Sequence, residues 1–258
     1  MSADWSPDQY LRFADARLRP ALDLIARVTL DPPRPRTIYD LGCGTGNITK
    51  LLKTRWPDAD VTGIDSSAEM LARAAAETPG VRWVEGSVDA WKAPTPVDLV
   101  FSNAALHWIP EHATLFPHLA RQVAPGGVLA VQMPRNFAAP SHTGIFETAR
   151  SGTWRERLEP LIRETPVLSP AEYFALLHEF GDVDIWETEY LQILRGPDPV
   201  KEWTKGTWLR PFLAALDSSE SREFESQYAS RMRAAYPPRA DGLTLFPFRR
   251  LFIVLKRS

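Results

Sequence analysis

Ile38-Tyr39-Asp40-Leu41-Gly42-Cys43-Gly44-Thr45-Gly46 is the stretch on which the reading of the fold turns. A short apolar run carries an acid near its end, three glycines follow at alternate positions, and a helical pattern starts at Asn47. This is the layout of a first strand, a tight turn and a first helix in a nucleotide-binding α/β sheet. The dinucleotide fingerprint G-x-G-x-x-G sets a pyrophosphate on the helix N-terminus; here the order is G-x-G-x-G, with the acid two residues before the first glycine. A carboxylate at that point suits a cationic ligand better than a pyrophosphate. Gly42, Gly44 and Gly46 are read as ligand-approach positions, because glycine accepts positive φ and has no Cβ in the way.

The flanks agree. Leu11, Ala14, Leu18, Leu22, Ile25 and Val28 recur at helical spacing over residues 8–30, and the Asp31-Pro32-Pro33-Arg34-Pro35 run ends that helix. Strands are expected at 37–41, 61–65, 81–85, 97–102 and 128–133. Helices alternate with them, one opened by a capping-box spacing at Ser66-x-x-Glu69. Such alternation predicts a parallel sheet. Prolines at 134, 140, 160, 166 and 170 interrupt the pattern, so residues 134–180 are expected to form a helical insertion over the strand ends. The sheet resumes near 183–192, helices fill 198–214 and 218–236 in a second insertion (196–240), and 251–255 closes the sheet.

The chain has 258 residues, 44% of them hydrophobic, with formal net charge −2 and pI near 6.2. That suits a single domain, 1–258, with inserted segments. It gives none of the basic excess of a nucleic-acid or membrane surface. One cysteine, Cys43, excludes an internal disulfide. No run approaches the roughly 18 apolar residues of a membrane span, and the N-terminus lacks a signal-peptide pattern. The expectation is a cytoplasmic protein with no nucleic-acid or membrane partner. The histidines 107, 112, 118, 142 and 178 form no ligand spacing, so no metal is expected. The sequence is silent on oligomeric state.

Asp65 lies 19 residues beyond Gly46 at the end of the second strand, where an acid can accept both hydroxyls of a ribose. Tyr10, Phe13 and Arg17 share a helix face, which suits either a lid (residues 1–30) or, for Phe13, core packing. The fourth strand runs into Ser102-Asn103-Ala104-Ala105-Leu106-His107-Trp108, and strand ends of an open α/β sheet face the ligand crevice. His107 and Trp108 are either positioning groups beside the acceptor or a helix-cap histidine and a packing residue.

The segment Asp40–Gly46 resembles the first motif of the class I methyltransferases. The resemblance implies a Rossmann-like, mostly parallel seven-stranded sheet whose helical insertions cap the strand ends. It implies S-adenosylmethionine as cofactor and S-adenosylhomocysteine as product. Carried onto this chain, it puts Asp40 near the cofactor's ammonium, with Gly42, Gly44, Gly46 and Asn47 around its methionine end. Asp65 and Ser66 fall at the ribose, Met70 on the adenine face or in the core, and Asn103 at the methionine portion. The family often has an acid near the adenine amino group after the third strand. In Glu85-Gly86-Ser87-Val88-Asp89 the expected position is Ser87, so Ser87 with Val88 is one choice and Asp89 the other.

A narrower resemblance runs through nearly the whole chain. Trp5–Leu11, Arg12–Asp15, Ser102–Trp108, Leu115–Leu119, Leu129–Pro134, Val183–Trp186, Leu209–Leu213 and Arg250–Val254 are similar to the trans-aconitate 2-methyltransferase family, which makes a monomethyl ester of a tricarboxylic acid. A carboxylate acceptor is ionised at neutral pH and needs no base, whereas its remaining carboxylates call for the planar fork of arginine. Candidates are Arg135, Arg195, Arg210 and Arg249, with Trp108 and Trp208 as pocket walls. Arg210 is favoured for its position between Trp208 and Phe212. The alternatives are a methyltransferase for a phenol, a quinone precursor or a carbon nucleophile, with His107 as base, or a cofactor-binding protein without catalysis. An NAD-dependent oxidoreductase is disfavoured by the glycine spacing.

Overall fold

The computed structural model describes residues 14–30, 35–163 and 165–258, with side chains from Leu18 onward. α1 (Ala14–Arg27) precedes β1 (Thr37–Leu41), α2 (Asn47–Arg55), β2 (Asp60–Asp65), α3 (Ala68–Glu77), β3 (Arg82–Glu85) and β4 (Val97–Asn103). α4 (His112–Gln122), β5 (Val123–Pro134), α5 (Pro140–Ser151), α6 (Arg155–Leu158) and α7 (Pro170–Leu177) follow. The chain closes with β6 (Gly181–Arg195), α8 (Pro199–Lys205), α9 (Arg210–Ala214), α10 (Ser218–Ala235) and β7 (Leu243–Arg257). The chain divides into two compact units. One holds residues 18–134, 166–188 and 250–258; the other holds 135–165 and 189–249.

The seven strands among the described residues form one sheet in the order β3-β2-β1-β4-β5-β7-β6. β1 pairs in parallel with both β2 and β4, and β5 pairs in parallel with β4. Only β7, antiparallel to β5, breaks the parallel set among these pairings. The seven-stranded, mostly parallel α/β sheet expected from the sequence is the one observed. Its central strands are apolar on both faces because helices cover parallel strands on both sides. Ile38, Leu41, Leu99, Val100, Leu129 and Val131 are wholly buried, each contributing about 1.5–3 kcal/mol. The strand order reverses between β1 and β4, which makes their carboxyl ends the ligand crevice of such a sheet.

The second unit has its own core. Trp154, Leu158, Phe212, Phe224, Tyr228 and Phe246 are its central buried side chains. The hydroxyl of Tyr228 donates to Ser141 O at 2.8 Å and meets Thr204 Oγ1 at 3.1 Å, which ties α5, α8 and α10 together.

Several expected boundaries shift. Ser67, not Ser66, caps α3, its hydroxyl accepting from Met70 N; the Ser67 N–H is drawn to Asp65 Oδ1 at 2.9 Å, which sets the helix start one residue later. Pro125-Gly126-Gly127 lies inside β5. Val123 already pairs with Val97, the register then slips, and pairing resumes at Leu99 and Val128. A bulge built on the left-handed Gly126 explains why this stretch reads as a turn. The helix expected over 198–214 breaks into α8 and α9, and the closing strand begins at Leu243 rather than 251.

Candidate functional site

The glycine turn is held from behind by β2. Gly42 N–H and Cys43 N–H both donate to Ile64 O, at 2.8 and 3.0 Å, and Gly46 N–H closes the loop onto Cys43 O. All three glycines have left-handed φ: 72° at Gly42, 55° at Gly44 and 77° at Gly46. A Cβ on Gly42 would lie 2.2 Å from that of Ala105, and one on Gly46 2.5 Å from the Trp83 ring. At Gly44 it would meet nothing within 4 Å. Two glycines thus permit close packing, and the third faces open space.

Asp65 is pinned at both oxygens. Oδ2 accepts from Gly44 N–H at 2.8 Å and Oδ1 from Ser67 N–H at 2.9 Å. A carboxylate has about four lone-pair directions, so each oxygen keeps one for an external donor. This arrangement suits the two hydroxyls of a ribose.

Asp40 is almost wholly buried. Thr49 Oγ1 donates to it at 2.6 Å, and burial pushes its pKa from the usual carboxylate range up to about 7, the charge of Asp65 adding to the rise. Cys43 is likewise a protonated, buried thiol, held high by burial and by the Asp40 and Asp65 charges. The folded chain holds a proton that the unfolded chain releases near pH 4, so this stability is full below about pH 4 and is lost as the pH rises through about 7. A cationic ligand favours the ionised carboxylate. Affinity for S-adenosylmethionine is therefore expected to rise between about pH 6 and pH 8 with uptake of ligand coupled to proton release. Calorimetry in buffers of different ionisation enthalpy measures this. An Asp40→Asn protein with the same proton release would count against Asp40.

At the end of β4, Asn103 pairs in register with Gln132 of β5, and the next residue, Ala104, has φ 54°. Among the described residues Asn103 Oδ1 is buried without a hydrogen-bond partner, as are both amide atoms of Gln132. Gln132 is fully buried, and sequence reasoning gave it no role. The signal was a lone amide inside the apolar run Leu129–Met133. His107 is buried beside Trp108, ring centroids 4.7 Å apart, while Trp108 itself is 47% exposed. The open space at Gly44, the remaining lone pairs of Asp65 and the orphaned Asn103 carbonyl fit a nucleoside cofactor with an amino-acid tail.

Ser87 and Asp89 are both exposed and hydrogen-bond to each other. The Ser87 hydroxyl is the main cause of a lowered Asp89 pKa, so the two adenine choices are one joined pair; Val88 beside them is buried. Met70 is buried in α3, Asn47 opens α2, and Ser66 precedes the Ser67 cap. Tyr10, Phe13 and the Arg17 side chain lie outside the described residues. Three histidines do structural work. His112 meets Tyr173 and Leu106 O, His118 meets Trp91 O, and His178 meets the carbonyls of its own helix.

In the second unit the candidate arginines separate. Arg195 is exposed at the end of β6. Arg249 is half exposed and pairs with Glu189 at 3.9 Å, while its carbonyl takes the Arg135 N–H. Arg210 opens α9 and has Nη1 buried without a partner among the described residues. Arg250, in the first unit, is buried where Arg249 is not. One step along a strand reverses the face, and the sequence reading had singled out the exposed member of the pair. Trp208 packs its ring on Phe137 and His142.

A family described as a methyltransferase domain matches residues 38–127. The chain is 48% identical to the trans-aconitate 2-methyltransferase of Azoarcus sp. over 98% of this chain and 99% of that one. It is 47% identical to the trans-aconitate 2-methyltransferase of Methylobacterium nodulans over 99% of each. Among solved structures, the YcgJ protein of Bacillus subtilis superposes with TM-score 0.58 at 17% identity, covering 93% of this chain and 99% of that one. Haemonchus contortus phosphoethanolamine N-methyltransferase 2, solved with S-adenosyl-L-methionine, superposes with TM-score 0.53 at 17% identity. There 93% of this chain is covered, but it spans only about half (53%) of that one.

Proposed function

The chain belongs to the trans-aconitate 2-methyltransferase family of S-adenosylmethionine-dependent methyltransferases, and on that premise we propose that it methylates a carboxylate of a small tricarboxylic acid, trans-aconitate first. The product is the monomethyl ester. The observation that carries this reading is Arg210: a permanent cation whose Nη1 is buried and unpartnered among the described residues. A desolvated, unpaired donor of this kind is costly and calls for an anion, best a carboxylate matched to its planar fork.

The residues divide the work. Asp65 accepts the ribose hydroxyls, Asp40 offsets the cofactor's positive charge, and Asn103 takes a donor from the methionine portion. The cofactor supplies an electrophilic methyl group on a sulfonium. The acceptor carboxylate is already ionised at neutral pH, so no side chain has to remove a proton. The protein's contribution is to strip water from the carboxylate and orient one of its oxygens, which accelerates transfer through proximity. His107 and Trp108 are positioning groups in this scheme. Arg210 holds a carboxylate that does not react.

We assign the activity to the cytoplasm. No helix among the described residues is long and apolar enough to cross a membrane, and the single cysteine is a buried thiol.

Turnover with labelled S-adenosylmethionine against trans-aconitate, cis-aconitate, isocitrate and citrate, with mass detection of the ester, tests the proposal. A monomethyl ester from trans-aconitate is expected; methyl transfer only to a phenol or a carbon acid would overturn it and make His107 a candidate base. Arg210→Ala is expected to raise KM for the tricarboxylate by about 10- to 100-fold, the worth of a hydrogen bond to a charged group. Its affinity for S-adenosylhomocysteine is expected to stay within about twofold.

A further inference from the structure

The second unit contains a polar group that none of the assigned roles uses. His142 lies in the first turn of α5 and is only 3% exposed. Its ring touches two aromatic rings, Phe137 at 5.2 Å and Trp208 at 5.4 Å, which also touch each other at 5.2 Å. Nδ1 meets Ser141 Oγ at 3.2 Å. Nε2 is buried and has no hydrogen-bond partner among the described residues.

The ring is held from behind. Ser141 O accepts from the Tyr228 hydroxyl at 2.8 Å, and Ser141 N–H donates to the Tyr236 hydroxyl at 3.3 Å. These two anchors fix the start of α5 without any ligand. The Ser141 hydroxyl is able to donate to Nδ1; in that tautomer the ring proton sits on Nε2, which is then a donor. Burial pushes the His142 pKa down to about 4, so the imidazole is neutral at neutral pH and donates one hydrogen bond without adding charge.

His142 is not alone. Asn136 is 5% exposed, and both atoms of its amide are buried and unpartnered among the described residues. Its carbonyl accepts from Ala139 N–H, and Ala139 O in turn accepts from His142 N–H, so one short turn links the two residues. Arg210, with its orphaned nitrogen, follows Trp208 by two positions. Buried polar groups are almost always satisfied, and three such residues on two neighbouring segments point to a polar ligand with acceptors for Arg210 Nη1 and Asn136 Nδ2 and, in the Nε2–H tautomer, for His142.

We propose that His142 is a specificity residue of the acceptor site, donating through Nε2 to an oxygen of a non-reacting carboxylate, with Asn136 as a second donor and Phe137 and Trp208 as flanking walls. This rests on the acceptor being a polycarboxylic acid. It extends carboxylate recognition from a single arginine to a subsite that binds through neutral donors as well.

The test uses the full chain with His142→Phe, His142→Gln and Asn136→Leu. The readouts are KM and kcat for trans-aconitate and, separately, affinity for S-adenosylhomocysteine. His142→Phe is expected to raise KM about tenfold or more, with a smaller change in kcat and product affinity within about twofold. His142→Gln keeps an N–H and is expected to recover part of the loss. A His142→Phe protein that binds S-adenosylhomocysteine normally and has an unchanged KM overturns the subsite and leaves the acceptor assignment standing. If that variant loses S-adenosylhomocysteine binding, Asn136→Leu decides the question by the same criteria. If the unsubstituted protein esterifies no carboxylic acid at all, the acceptor assignment falls and the subsite falls with it.

Discussion

Asp65→Ala is expected to weaken binding of S-adenosylmethionine and S-adenosylhomocysteine by about a hundredfold or more while the protein still folds. Two effects act together. In the proposed cofactor site the ribose loses two hydrogen bonds to a charged acceptor, each worth about 1.5–3 kcal/mol. Gly44 N–H and Ser67 N–H lose the carboxylate that spans the turn after β1 and the start of α3, so the glycine loop is no longer held in its binding form. Both amides lie at a partly open surface, where water can replace the carboxylate, which is why folding survives. Asp65→Asn keeps one side-chain oxygen and is expected to fall between. Calorimetric titration with S-adenosylhomocysteine, alongside a thermal melt, reads both effects; an affinity within about threefold of the parent would show that Asp65 does not hold the nucleoside.

The largest effect on stability is expected at Gly42. An alanine there must hold φ near 72°, which costs about 1–2 kcal/mol for an L-residue, and its Cβ would sit 2.2 Å from that of Ala105. Ala105 has no flexible end to move aside, so the backbone after β4 has to shift, at about 1–3 kcal/mol more. A total of roughly 2–5 kcal/mol corresponds to a fall in Tm of about 4–20 °C for a chain of this size. Gly44→Ala is the contrast. Its φ is also left-handed, but its Cβ meets nothing within 4 Å. It is expected to lose only about 1–2 kcal/mol of stability and yet to bind the cofactor poorly, since the methyl enters the space the ligand needs. Differential scanning fluorimetry with and without S-adenosylhomocysteine separates the two. Equal stability losses in both variants would contradict the assignment of Gly42 to packing and Gly44 to the ligand.

The parts of the candidate site that were legible in the sequence lie close together in it. Asp40, the three glycines and Asn47 fall within one strand–turn–helix, and the positive φ values follow from what glycine alone tolerates. The place of Asp65 at the end of β2 could be read because a second strand of this fold ends at a predictable distance. The cap of α3 was misread by one residue, since Ser66 and Ser67 are chemically alike and only the bond from Ser67 N–H to Asp65 separates them. The bulge at Gly126 read as a turn, because Pro-Gly-Gly has turn chemistry wherever it stands.

What lay beyond sequence reading depends on partners far along the chain. Arg249 and Arg250 are neighbours of equal chemistry, and the strand's two-residue alternation leaves one exposed and buries the other. Nothing local marks Asn136 or His142, and Gln132 shows only as a lone amide in an apolar run. Their burial comes from packing, as when Tyr228 anchors Ser141 across 87 residues. The sequence by itself determined the parallel sheet, the glycine turn and the acid that ends β2, because strand periodicity and glycine dihedrals are local properties. Only the tertiary structure decided which polar groups are left buried without partners, because burial belongs to the packed chain and to no single segment of it.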